Sequence, residues 1–184
     1  MSIGIDIVDL AAVPAMDAQR TRRYCEKVCS AEEAEFILAA EDSQKVLWQF
    51  WALKEAIYKC TFDPHQPKAF CAREINIPIA FFSAKGGFEC YFENAPLYLD
   101  LLQQDNAIIA SASIRREVEF YRVPYQNRDL LYKTITKKAA TKLGLPRVAL
   151  QHNEQGQPGL WVPDLEEHIP ISMAHHGRFA VWGI

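Results

Sequence analysis

The chain has 184 residues, 49% of them hydrophobic, enough for one sizeable domain or two small halves sharing a core, and this composition argues against disorder. Its 20 basic and 23 acidic residues are interspersed and leave a formal charge of -3, so no overall field draws it to nucleic acid or an anionic membrane. A phosphate ligand would need a local basic site.

The N-terminal MSIGIDIVDLAAV has no basic leader, and Asp6 and Asp9 interrupt its apolar stretch, which predicts a cytoplasmic protein without a membrane partner. Ser2 to Val8 reads as a buried strand ending near Asp9, with an acid inside it that needs an explanation. Helical composition runs from Asp17 to Val28, and Ser30 with Glu33 forms a capping box for a helix reaching about Ala40. Cys25, Cys29, Cys60, Cys71 and Cys90 form no CxxC pair, so reduced thiols are expected.

In VLWQFWALKEAIYKC, Val46, Phe50, Leu53, Ile57 and Cys60 recur at steps of four and three, which predicts one buried helical stripe. Trp48, Ala52, Glu55 and Lys59 share another face. From Arg73 the runs REINIPIAFF, FECYF and AIIASASI predict three strands, the first two separated by Gly86-Gly87, forming an antiparallel sheet on the long helix. A linker, residues 117–127, leads to a second unit. It comprises a helix from Arg128 to Leu143, strands at RVALQH and LWV around a GQP turn, and a final strand RFAVWGI. The two units share the order helix, strand, turn, strand, which predicts an α+β fold of two similar halves, 1–116 and 128–184.

Two carboxylates stand out. Asp6 lies in an apolar strand and Glu55 on a helix beside Lys54 and Lys59, and burial of either acid unpaired is costly, so a bound ion is physically attractive. Mg2+ suits such a pair because it keeps phosphate oxygens and waters among its ligands. On spacing alone, Glu55 and Lys59 equally describe an ordinary helical ion pair worth roughly 0.2 to 0.5 kcal/mol, and Asp6 a residue capping the following turn.

Gly4-Ile5-Asp6, followed by Trp51-Ala52-Leu53-Lys54-Glu55-Ala56-Ile57-Tyr58-Lys59, resembles the G-[IV]-D and [FW]-x-x-K-E-[AS]-x-x-K motifs of the 4'-phosphopantetheinyl transferase superfamily, in order and at the family separation. CSAEEAEF is similar to the family's intervening helix start. The C-terminal unit resembles the N-terminal half of surfactin-type members through Arg128-Asp129-Leu130-Leu131, Leu143-Gly144, Gly156-Gln157-Pro158 and Ala174-His175-His176-Gly177-Arg178-Phe179. These elements follow the catalytic half here, as in a circular permutation. The other arrangement is a complete unit of the small synthase type, 1 to about 116, with an appended half.

The resemblance implies a phosphopantetheinyl transferase-like fold, a pseudo-dimer with antiparallel sheets packed on long helices. It implies transfer of the 4'-phosphopantetheine arm of coenzyme A to a serine of an apo acyl or peptidyl carrier protein. Asp6 and Glu55 would hold Mg2+, Glu55 and Lys59 would be catalytic, and Lys54, Lys59, His175 and Arg128 would bind coenzyme A, all within a monomer. Val8, Gln157 and Ala174 depart from the two-half pattern. They suit a second expectation, a degenerate homologue that binds coenzyme A or a carrier protein without transfer.

Overall fold

The computed structural model describes residues 3–63, 65–66, 68–84, 86–93, 95–116 and 118–184. Ser2, expected to open the first strand, and Glu117, expected to open the linker, lie outside the described residues. The apolar N-terminal run forms β1 (Ile3–Asp9). Asp17 caps α1 (Ala18–Val28), accepting from the Arg20 N–H at 2.7 Å, and Ser30 and Glu33 complete the capping box of α2 (Ala31–Ala39). The long amphipathic segment is α3 (Ser43–Thr61). Phe50, Leu53, Ile57 and Cys60 are buried as the periodicity predicts, and Leu47, Ala52, Lys54 and Ala56 widen the buried face beyond one stripe.

The expected strand at REINIPIAFF is absent. Two 3-10 turns, Ala72–Glu74 and Ile79–Ser83, flank an irregular segment. Side chains take over its backbone partners: the Ile77 N–H donates to Glu33 Oε1 at 2.7 Å, and the Ala72 and Ile75 carbonyls accept from Lys54 Nζ at 3.0 and 2.5 Å. Alternation in this stretch reflects Ile75 and Ile77 anchoring a loop in the core, and Pro78 supplies no N–H for a ladder.

Strands β2 (Phe88–Phe92), β3 (Ala95–Gln104) and β4 (Ala107–Ser113) join β1 in an antiparallel sheet ordered β1-β4-β3-β2. Part of the stretch read as a linker is a strand, β5 (Phe120–Pro124). It is followed by α4 (Arg128–Leu143), which Gly144 ends in the left-handed region at φ 64°. Then come β6 (Ala149–His152), β7 (Pro158–Val162), β8 (Glu167–Pro170), β9 (Ser172–His176) and β10 (Phe179–Gly183). They build two further antiparallel sheets, β5-β10-β9 and β6-β7-β8. The architecture is thus mixed helix and antiparallel sheet. Among the described residues no helix is long and apolar enough to cross a membrane.

β1 is the hinge of this arrangement. Its side chains alternate, so Gly4, Asp6 and Val8 share one side and Ile3, Ile5, Ile7 and Asp9 the other. On the first side α3 approaches so closely that a Cβ on Gly4 would lie 1.8 Å from the Ala56 carbonyl oxygen, which requires glycine there. On the second, Ile3, Ile5 and Ile7 pack with Ala107, Ile109 and Val181 in a small core joining β1 and β4 to β10.

Asp9 locks the same junction. Arg178 donates to it three times, from Nε (2.8 Å), one terminal guanidinium nitrogen (2.8 Å) and the backbone N–H (3.0 Å), while the Ala11 N–H donates at 3.1 Å. Gly177, at φ 54°, lets the β9–β10 turn reach the buried carboxylate: a Cβ there would lie 2.5 Å from Asp9 Oδ2.

Hydrogen bonds from Arg178 hold the Asp9 carboxyl well below the usual carboxylate range. With the folded pKa below the unfolded one, the stability this group contributes is complete above roughly pH 4 and is lost as pH falls towards the folded value. Arg178→Ala is expected to lower the unfolding free energy at pH 7 by about 2 kcal/mol or more, measured by urea denaturation. The difference from the parent protein should shrink on acidification below about pH 4.

Candidate active site

Asp6 on β1 and Glu55 and Lys59 on α3 meet in a cleft of about 380 Å³ whose remaining walls are Ile7, Val8, Trp48, Trp51 and β9 residues 173–176. Of the face predicted in the sequence, Trp48, Glu55 and Lys59 line the cleft, while Ala52 is fully buried and Trp51 lines the cleft as well, so this part of α3 is aromatic at one end and charged at the other. Lys59 lies between the acids. Its Nζ donates to Asp6 Oδ1 at 2.8 Å and to the Ile5 carbonyl at 3.1 Å, and stands 3.9 Å from Glu55 Oε2.

Burial pushes the Asp6 carboxyl up, an effect opposed by the charge and hydrogen bond of Lys59 and by the Ile7 N–H. Burial also pushes Glu55 up, with Lys59 opposing and Asp6 adding repulsion. One lysine thus serves a buried acid and a half-buried one, and a divalent cation would favour the charged form of both. Among the described residues no three His, Cys, Asp or Glu side chains cluster as a metal group. Two carboxylates fit Mg2+, which draws its other ligands from water and substrate phosphate, whereas a closed all-protein cage would be incomplete.

The other residues singled out in the sequence lie as follows. His175 borders the cleft, exposed, with its ring stacked on Tyr125 at 4.3 Å between centroids. Arg128 is not among the cleft-lining residues. It is exposed at the start of α4, where its Nε donates to the Tyr132 hydroxyl at 2.7 Å and its guanidinium lies over the Tyr132 ring.

Lys54 requires a correction. Fully buried, its Nζ donates to Glu33 Oε2 at 2.7 Å and to the Ala72 and Ile75 carbonyls, so all three ammonium hydrogens are used away from the cleft. It ties α3 to α2 and to the irregular segment and has nothing to offer a phosphate. Asp9, which strand parity turns away from Asp6, is indeed committed elsewhere, to Arg178.

The sequence reading missed His176. It lines the cleft together with Asp6, and its Nδ1 accepts from the Asp9 N–H at 3.0 Å. The register of β9 against β1 determines this, and a histidine pair in sequence does not reveal which member faces inward.

An acid on a strand and an acid and a lysine on a helix thus meet in one cleft. Residues 2–92, which contain Asp6, Glu55 and Lys59, match the family model of the 4'-phosphopantetheinyl transferase superfamily. Among curated proteins, a holo-[acyl-carrier-protein] synthase of Anoxybacillus flavithermus (strain DSM 21510 / WK1) is 22% identical over 91 residues, covering 48% of this chain and 76% of the relative. No solved structure matches the chain at a significant level. The family match ends before β9, so His175 and His176 lie outside it.

The raised pKa of Asp6 has a consequence for stability. Its charged form is disfavoured in the folded state, so its contribution declines as pH rises from the unfolded value, about 3.9, through the higher folded one. Asp6→Asn is therefore expected to retain or raise the unfolding free energy at pH 7, by about 0.5 to 2 kcal/mol, in urea denaturation. A loss of stability would mean that the Lys59 contact outweighs burial.

Proposed function

We propose that the chain transfers the 4'-phosphopantetheine arm of coenzyme A to a serine hydroxyl of an apo acyl or peptidyl carrier protein, releasing adenosine 3',5'-bisphosphate. The observation that carries this reading is the bridging of Asp6 and Glu55 by Lys59 inside the family-matched segment. In the reaction the serine Oγ forms a bond to the phosphorus bearing pantetheine, and that phosphorus parts from the bridging pyrophosphate oxygen. The nucleotide 5'-phosphate leaves with the electron pair.

Asp6 and Glu55 would hold Mg2+, which when bound disperses charge on the pyrophosphate. Glu55 takes the serine proton, directly or through a water, and its upward-shifted carboxyl is better matched to that task than an ordinary one. Lys59 neutralises phosphate oxygens beside it. Trp48 and Trp51 offer an apolar wall to the pantetheine arm. His175 would reach the ribose 3'-phosphate, and Arg128 would bind at the nucleotide end from outside the cleft.

The chain is read as a permuted pseudo-dimer: a catalytic half, 1–116, a connection, 117–127, and a coenzyme A-binding half, 128–184. The contribution of β9 to the cleft supports completion of the site within one chain, and hence a monomer. Residues Val8, Gln157 and Ala174 favour one competitor, a homologue that binds coenzyme A without transferring its arm.

Intact-mass measurement of apo carrier proteins incubated with the protein, coenzyme A and Mg2+ tests the proposal. A phosphopantetheine increment is expected, with the rate falling about 100-fold or more in Glu55→Gln. Binding of coenzyme A with no carrier modified would favour the competitor, and full transfer by Glu55→Gln would remove Glu55 from its role.

A further inference from the structure

β1 is an edge strand of its sheet, paired only with β4, and its other edge meets β9 through side chains. Two residues of β9 that share a face, Ser172 and His176, each supply an acceptor: Ser172 Oγ to the Ile5 N–H at 2.8 Å and His176 Nδ1 to the Asp9 N–H at 3.0 Å. Ile5 and Asp9 are four apart and face the same edge, so the two contacts pin β9 in register along β1.

The second contact fixes more than position. A backbone N–H can only donate, so His176 Nδ1 must carry the lone pair, and the single proton of a neutral imidazole then sits on Nε2. Among the described residues no protein group accepts from that Nε2–H, although the ring borders the cleft holding Asp6, Glu55 and Lys59. In this tautomer Nε2 has no lone pair for a metal. What remains is a hydrogen-bond donor without a protein partner, on a residue that lines the same cleft as two acids and a lysine.

We propose that His176 is a substrate-binding residue whose Nε2–H donates to a non-bridging oxygen of the coenzyme A pyrophosphate, its tautomer and orientation being set by the Asp9 N–H. The proposal rests on the reading of the cleft as the pyrophosphate site. Lys59 supplies positive charge from α3, and His176 supplies a donor from β9 without adding a full charge. Asp9 therefore connects two functions: its carboxylate anchors Arg178, and its N–H selects the tautomer two residues earlier on the same turn.

Two substitutions separate support of the fold from binding of the ligand. His176→Asn keeps an acceptor near the Asp9 N–H but cannot reach into the cleft, while His176→Gln keeps a donor at nearly the reach of Nε2. Coenzyme A binding with Mg2+ is measured by calorimetry alongside melting temperature, and long-range 1H–15N correlation spectra of the parent protein report the His176 tautomer. Expected are the Nε2–H tautomer, a His176→Asn protein that melts like the parent yet binds coenzyme A on the order of 10- to 100-fold more weakly, and affinity substantially restored in His176→Gln. Parent-like binding by His176→Asn, equal loss in both variants with a lowered melting temperature, or an Nδ1–H tautomer would overturn the proposal. Failure of the parent protein itself to bind coenzyme A would overturn the cleft assignment, and this inference with it.

Discussion

The buried carboxylate of Asp9 is the constraint on which the site geometry depends. An acid with no exposed surface must be neutralised and hydrogen-bonded in place, and here both requirements are met by Arg178, from the far end of the chain. That demand brings the β9–β10 turn onto the end of β1 and makes Gly177 necessary at the point of contact. Removal of Arg178 would leave β1 with an unpaired buried charge, and removal of either partner would cost the β9–β10 turn its anchor.

A second constraint acts on the opposite face of the same strand. Gly4 allows the α3 backbone to close on β1, and this close approach sets Lys59 against the Ile5 carbonyl and the Asp6 carboxylate. The cleft is thus built around one strand clamped from two sides. Its acids are held partly desolvated with a single ammonium between them, an arrangement that disfavours their charged forms. Lys54 and Glu33 work one layer further in, holding the irregular segment against α2 and α3.

The parts legible in the sequence are those governed by local spacing. The pair Glu55 and Lys59 follows from helical periodicity, Asp6 from the oddity of an acid in an apolar strand, and the α2 capping box and α4 from their end signals. Contacts between distant residues were hidden. Asp9 and Arg178 are 169 positions apart, and nothing local links them. Lys54 carries the same charge as Lys59 five residues on, and only its partners, Glu33 and two carbonyls, reveal that it points into the core. His175 and His176 differ by one step in a strand, so which one reaches the Asp9 N–H depends on the register of β9. The run INIPI mimics a strand because its isoleucines alternate inward, while side chains from α2 and α3 take its backbone hydrogen bonds.

The central claim is that Asp6, Glu55 and Lys59 form one seat for a metal-bound pyrophosphate. Its most direct test is water-proton relaxation with Mn2+ in place of Mg2+, measured with coenzyme A in the presence and absence of the protein. A ternary complex should raise the relaxation enhancement well above that of Mn2+ and coenzyme A alone, and Asp6→Asn should return it to that baseline. An equal enhancement in Asp6→Asn, or none in the parent protein, would contradict the claim.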